Sequence, residues 1–150
     1  MLRSIISFKC YTTMSFILRR GKVKTVYLPV TTSTAFTKDT LVSFSAGLLT
    51  AATSATTAVN TIGVIRKTIA STDTDYATAR TVPVDVPVER CTEWEADVTS
   101  GLVAADIMKE VDLTDAANVN RAASAIQNIR VKEVLSTTKG VVWIKFMGSY

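Results

Sequence analysis

Residues 81–89 read TVPVDVPVE. Val82, Val84, Val86 and Val88 alternate with Thr81, Pro83, Asp85, Pro87 and Glu89, so one face is all valine and the other polar or proline. Period-two alternation of β-branched residues is the pattern of a half-buried strand. The prolines add a constraint. Pro83 and Pro87 share a parity, so both missing N–H groups fall on one lateral edge, and a partner on that side would face two empty ladder positions. The segment is therefore expected at a sheet edge or a subunit boundary, where proline also blocks unwanted pairing.

The same alternation extends outward. Residues 93–98 place Trp94, Ala96 and Val98 inward and Glu93, Glu95 and Asp97 outward; residues 24–30 place Val26, Leu28 and Val30 opposite Thr25 and Tyr27. Residues 41–44 and 48–51 read as a hairpin about Ala46-Gly47, and 62–69 as a strand with Gly63 a bulge or close approach. Residues 110–114 are a further strand, with a polar loop after them through Ala123. Residues 126–135 and 141–147 form a terminal hairpin. Its last strand is apolar on both faces, Val142, Ile144 and Phe146 against Val141, Trp143 and Met147. Such a strand is central in a sandwich or covered by a partner. Residues 102–108 are the helical candidate of the body, and no internal repeat is evident. The count is about eight or nine short strands with turns at intervals of roughly ten residues, which predicts an all-β chain folded as a compact small β-barrel or β-sandwich. Composition agrees: 47% of the 150 residues are apolar, few of them aromatic, and Thr occurs 23 times.

Charge is unevenly placed. Residues 1–24 hold Arg3, Lys9, Arg19, Arg20, Lys22 and Lys24 and no acid, while the rest holds 11 bases against 13 acids. This predicts an extended basic N-terminal arm, 1–24, followed by a single β domain, 25–150. Such an arm suits an anionic partner. Asp85, Glu89, Glu93, Glu95 and Asp97 form an acidic face, read either as an ordinary solvated surface or as the receiver of a basic arm from a neighbour. Lys9 interrupts the apolar run of a signal peptide, Met14 offers an alternative start, and no stretch approaches the roughly 20 apolar residues of a membrane span. No membrane partner is expected.

Chemistry is sparse. The chain has no histidine, which removes the commonest general base and metal ligand. There is no P-loop and no dinucleotide fingerprint. Asp73/Asp75, Asp112/Asp115 and Glu93/Glu95 read as solvated or backbone-capping acids. Cys10 and Cys91 match no metal spacing and are expected as free thiols. The expectation is no enzyme, no metal and no cofactor. Trp94 reads as core; Trp143 stays open between core and ligand platform. Bases interleaved with Phe8, Tyr11, Phe16 and Ile17 would suit single-stranded nucleic acid, but the body offers no basic groove to continue that contact, so no specific nucleic-acid partner is expected.

Five segments together carry a resemblance that covers roughly residues 30–147: LVSF…GLLTAAT, IGVIRKTIASTDTDYA, VPVDVPVE, VDLTDAANVNRAAS and VLSTTKGVVWIKF. In texture and order they are similar to the small decoration, or capsid cement, proteins of tailed bacteriophages. The resemblance implies a small β-barrel or sandwich on the virion surface, made in the host cytoplasm. It implies a homotrimer that bridges major capsid proteins and sends out a terminal arm, here Arg3, Lys9, Arg19, Arg20, Lys22 and Lys24. Pro83, Pro87, Val141, Trp143 and Met147 are the candidates for subunit contacts. The alternative is a carbohydrate-binding or adhesin-type β module displaying Trp143 or Tyr76.

Overall fold

The computed structural model describes residues 16–99 and 101–147. Their strands are β1 (Ile17–Arg20), β2 (Val23–Val30), β3 (Leu41–Ser45), β4 (Leu48–Ala51), β5 (Thr61–Ile65) and β6 (Arg80–Pro87), then β7 (Glu93–Thr99), β8 (Glu110–Leu113), β9 (Asn118–Asn120), β10 (Ile129–Ser136) and β11 (Lys139–Ile144). The chain is all-β, as its alternation requires. β2, β4, β3, β5 and β6 close into one five-stranded barrel. β7, β11, β10, β8 and β9 run in order, β9 pairs back to β7, and β1 lies beside the first half of β7. Barrel closure leaves few strand edges to protect.

The two barrels repeat one another. In each, the first strand pairs antiparallel with the fifth and parallel with the third, and the second pairs antiparallel with the third and the fourth. The fourth and fifth complete the ring. The correspondence holds residue by residue. Val26↔Val84 matches Trp94↔Val142, Phe44↔Leu49 matches Leu113↔Val119, and Ile65↔Val84 matches Val131↔Val142. Even a loop detail recurs. Asp39 and Met108, each two residues before the second strand, have φ of 65° and 70°. Their N–H groups donate to Ile65 O and Val131 O, both at 2.7 Å, and the residues after them accept in return at 3.0 Å. The absence of a repeat, as the sequence reads, is thus corrected: the repeat is one of pairing, while the side chains and loop lengths have diverged.

The barrels share a buried seam. Leu41, Ala52 and Val64 of the first join Trp94, Val111, Ile129 and Val142 of the second in one buried cluster with Phe16. Val30, Val42, Leu49, Ile65, Val82 and Val84 fill the first barrel's own core. Backbone bonds cross the boundary, Leu41 N–H to Ala116 O at 2.8 Å and Met147 N–H to Thr61 O at 2.6 Å.

The edge position expected for residues 81–89 is overturned. β6 lies between β2 and β5. Val88 N–H donates to Lys22 O at 3.0 Å, so the bonds with β2 fall at the parity of Lys24, Val26 and Leu28, opposite Val86, Val84 and Val82. Both prolines face β5 instead, which pairs with β6 only at Asp85 and Val84. Pro83 there accepts through its carbonyl, from Arg66 N–H at 2.9 Å. A short partner removes the conflict that a full-length one would create. Gly63 is the close approach its position suggests: a Cβ there would strike the Asp85 carbonyl oxygen. The Ala46-Gly47 hairpin forms with both φ positive, 50° and 83°, the turn that matches strand twist. The helical candidate at 102–108 yields only a 3-10 turn, Ala104–Asp106.

Candidate functional site

The acidic strand and the basic N-terminal stretch meet each other. Of the six arm bases, Arg3 and Lys9 lie outside the described residues. Arg19 and Arg20 lie on β1, which pairs antiparallel with β7, Ile17 opposite Glu95 and Arg20 opposite Glu93. Arg19 Nη1 bonds Glu95 Oε2 at 3.0 Å. Lys22 sits in the β1–β2 turn, its N–H bonded to Glu89, and Lys24 lies on β2. The boundary between arm and body therefore falls inside a strand, and Phe16, fully buried, belongs to the core.

The five acids are matched within the chain. Arg66 pairs with Asp39 and, at 3.3 Å, with Asp85. Lys132 bonds Glu93 and, with Arg20 beside it, holds that carboxyl below its ordinary range. Lys139 lies 3.4 Å from Glu95 and 3.6 Å from Asp97, and Asp97 first, then Glu95, push its ammonium up. Side chains on β7's outer face therefore work as a zip between β1 and β11.

The other candidates separate. Pro83 and Pro87 are half-buried on β6. Val141 is buried at 2% exposure, while Met147 keeps 43%. Trp143 is half-buried beneath Lys132 Nζ, 5.9 Å from the ring centre. Trp94 is fully buried against Phe146, ring centres 6.2 Å apart. Tyr76 spends its hydroxyl on Ser33 O at 2.6 Å. Cys91 is an exposed thiol in an open cleft of about 490 Å³ lined also by Arg20, Gly21, Lys22, Glu89 and Glu93; Cys10 lies outside the described residues. Among the described residues no group of three or more potential metal ligands gathers, and no helix is long and apolar enough to cross a membrane.

Sequence reasoning missed the loop between β7 and β8. Val103, Ile107 and Met108 are 46%, 45% and 53% exposed there. Residues 102–108 read as a helical candidate, and nothing in that reading marked these three side chains as displayed. The loop is held from beneath. Leu102 is buried and its N–H donates to Thr137 O at 2.7 Å. Asp106, 1% exposed, accepts from Val103 N–H at 2.9 Å, from Lys109 Nζ at 3.0 Å and from Arg121 Nε. Burial alone would raise the Asp106 pKa, but the Val103 N–H and the two cations outweigh it and bring it down to about 2. The folded value lies below the ordinary 3.8, so the ionised form stabilises the fold above that pH and the contribution is lost as pH falls toward about 2. Urea midpoints of the wild-type chain should drop across that window, and those of Asp106→Asn should lack this component. Asp106→Ala should cost about 2 kcal/mol at neutral pH, because the Val103 N–H loses its acceptor and two partly exposed cations lose theirs.

The fold and this surface define a tandem five-stranded β-barrel protein with an exposed apolar loop. Compared with family models, with curated proteins and with solved structures, the chain matches none.

Proposed function

We propose that this protein is a virion structural component that decorates and cements a phage capsid by bridging major capsid proteins, as a homotrimer and without enzymatic activity. The loop carrying Val103, Ile107 and Met108 is the observation on which the reading rests. Three apolar side chains held out to solvent on a pinned backbone cost little entropy when covered, which is what a contact surface requires. One further feature supports it: the small closed barrels agree with the fold that the resemblance implies. Repetition on a lattice multiplies modest single contacts, so no deep pocket is needed.

Co-sedimentation with purified capsid shells, followed by imaging of shells with and without the protein, tests this. Density at regular outer positions is expected, and shells that never acquire it would end the reading. The double substitution Ile107→Asp, Met108→Asp should leave the melting temperature near that of the wild type, since both residues are exposed, and should weaken decoration about tenfold. Equal decoration by the variant would remove the loop from the contact.

A further inference from the structure

The internal repeat exposes one difference between the barrels. On β7, Trp94 turns its backbone groups toward β11, while Glu93 and Glu95 face the other way and are covered by β1. The counterparts of Glu93, Trp94 and Glu95 on β2 are Thr25, Val26 and Tyr27, by the matching pairs Trp94↔Val142 and Val26↔Val84. Val26 faces β6. Thr25 and Tyr27 face the opposite edge, where β4 reaches β2 only at Val30. Among the described residues no strand pairs with that edge from Val23 to Pro29. Tyr27 is 69% exposed, and Thr25 is exposed as well.

We propose that this β2 edge is a strand-docking site, filled antiparallel by an extended acidic segment of a partner protein, as β1 fills the edge of β7. The backbone geometry supplies the pairing: the N–H and C=O groups of Thr25 and Tyr27 point outward at strand spacing, ready for an added strand. Charge selects the occupant. On β7 the edge is acidic and the strand that covers it carries Arg19 and Arg20. On β2 the counterparts Thr25 and Tyr27 are uncharged, and the charges beside them are basic, Lys22 and Lys24. Lys24 is exposed and makes no ion pair with any described residue, and Lys22, beyond it, keeps 81% of its side chain exposed despite a 3.9 Å contact with Glu89. The acid on the neighbouring strand, Asp85, is already taken by Arg66 and by the Thr25 hydroxyl at 2.6 Å. This inference stands on the strand pairing and does not use the capsid reading.

The probe is a fluorescent peptide copying residues 93–99 of this chain, the acidic strand that a basic strand already covers, used with the full-length protein. Anisotropy should show saturable binding, and the same peptide with lysine at its three acidic positions should bind about tenfold more weakly. Tyr27→Pro deletes the outward N–H and leaves the bonds of Val26 and Leu28 to β6, so it should weaken the acidic peptide about tenfold while the barrel persists. Lys24→Glu, which touches no ladder bond, should weaken it severalfold and serves if the proline variant fails to fold. In hydrogen exchange, the Thr25 and Tyr27 amides should be open in the free protein and protected by the peptide. Protection in the free protein equal to that of Val26 would mean the edge is already filled and would overturn the proposal. So would absence of peptide binding, or binding unchanged in the folded variants.

Discussion

Val84→Asp is expected to leave the whole chain unfolded at room temperature. Val84 is fully buried in the first barrel and pairs with Val26 on one side and Ile65 on the other. A carboxylate there has no cation to meet in that core, and burying it costs several kcal/mol, on the order of the total stability of a domain. The consequence should reach the second barrel. Leu41, Ala52 and Val64 belong to the first barrel's chain yet pack in the cluster around Trp94, so loss of one barrel uncovers the other. Both tryptophans, Trp94 and Trp143, lie in the second barrel. Their fluorescence in Val84→Asp should match that of the urea-unfolded wild type. A native-like spectrum would show that the barrels fold independently.

Trp94→Ala should cost about 3–5 kcal/mol, the usual range for deleting a large buried aromatic. Its ring fills the second barrel against Phe146 and has no solvent contact. Val26 occupies the corresponding place in the first barrel and is only partly buried, so Val26→Ala should cost clearly less, about 1 kcal/mol. Chemical denaturation followed by circular dichroism measures both. Equal losses would mean that the two barrels do not divide the core as the burial shows.

Most strands are legible because alternation is a local property. Val82, Val84 and Val86 announce their strand by period alone, the first two buried and the third partly so, and so do Trp94, Ala96 and Val98, which are buried. β1 was hidden by its charge: Ile17–Arg20 reads as part of a basic arm because nothing near it in sequence shows that Glu93 and Glu95 await it. β9 was hidden by its length, three residues inside a polar loop. The repeat escaped because spacing between equivalent positions drifts. From Val26 to Trp94 is 68 residues, whereas from Val84 to Val142 it is 58. Few of the equivalent side chains are alike, since a barrel interior asks for apolar volume rather than for particular residues. The apolar loop was misread for a related reason, as Val103 and Ile107 stand at helical spacing and the backbone between them makes only one 3-10 turn.

The sequence by itself determined the class of structure. β-branched alternation, threonine content and the placement of turn residues leave little but short strands, and the lack of histidine withholds the commonest catalytic groups. Only the tertiary structure decided which strand lies beside which. Each strand has two edges of identical backbone chemistry, and the choice of neighbour depends on segments far along the chain. That choice placed Pro83 and Pro87 on a strand with partners on both sides, joined Arg19 to Glu95, and left Thr25 and Tyr27 facing outward.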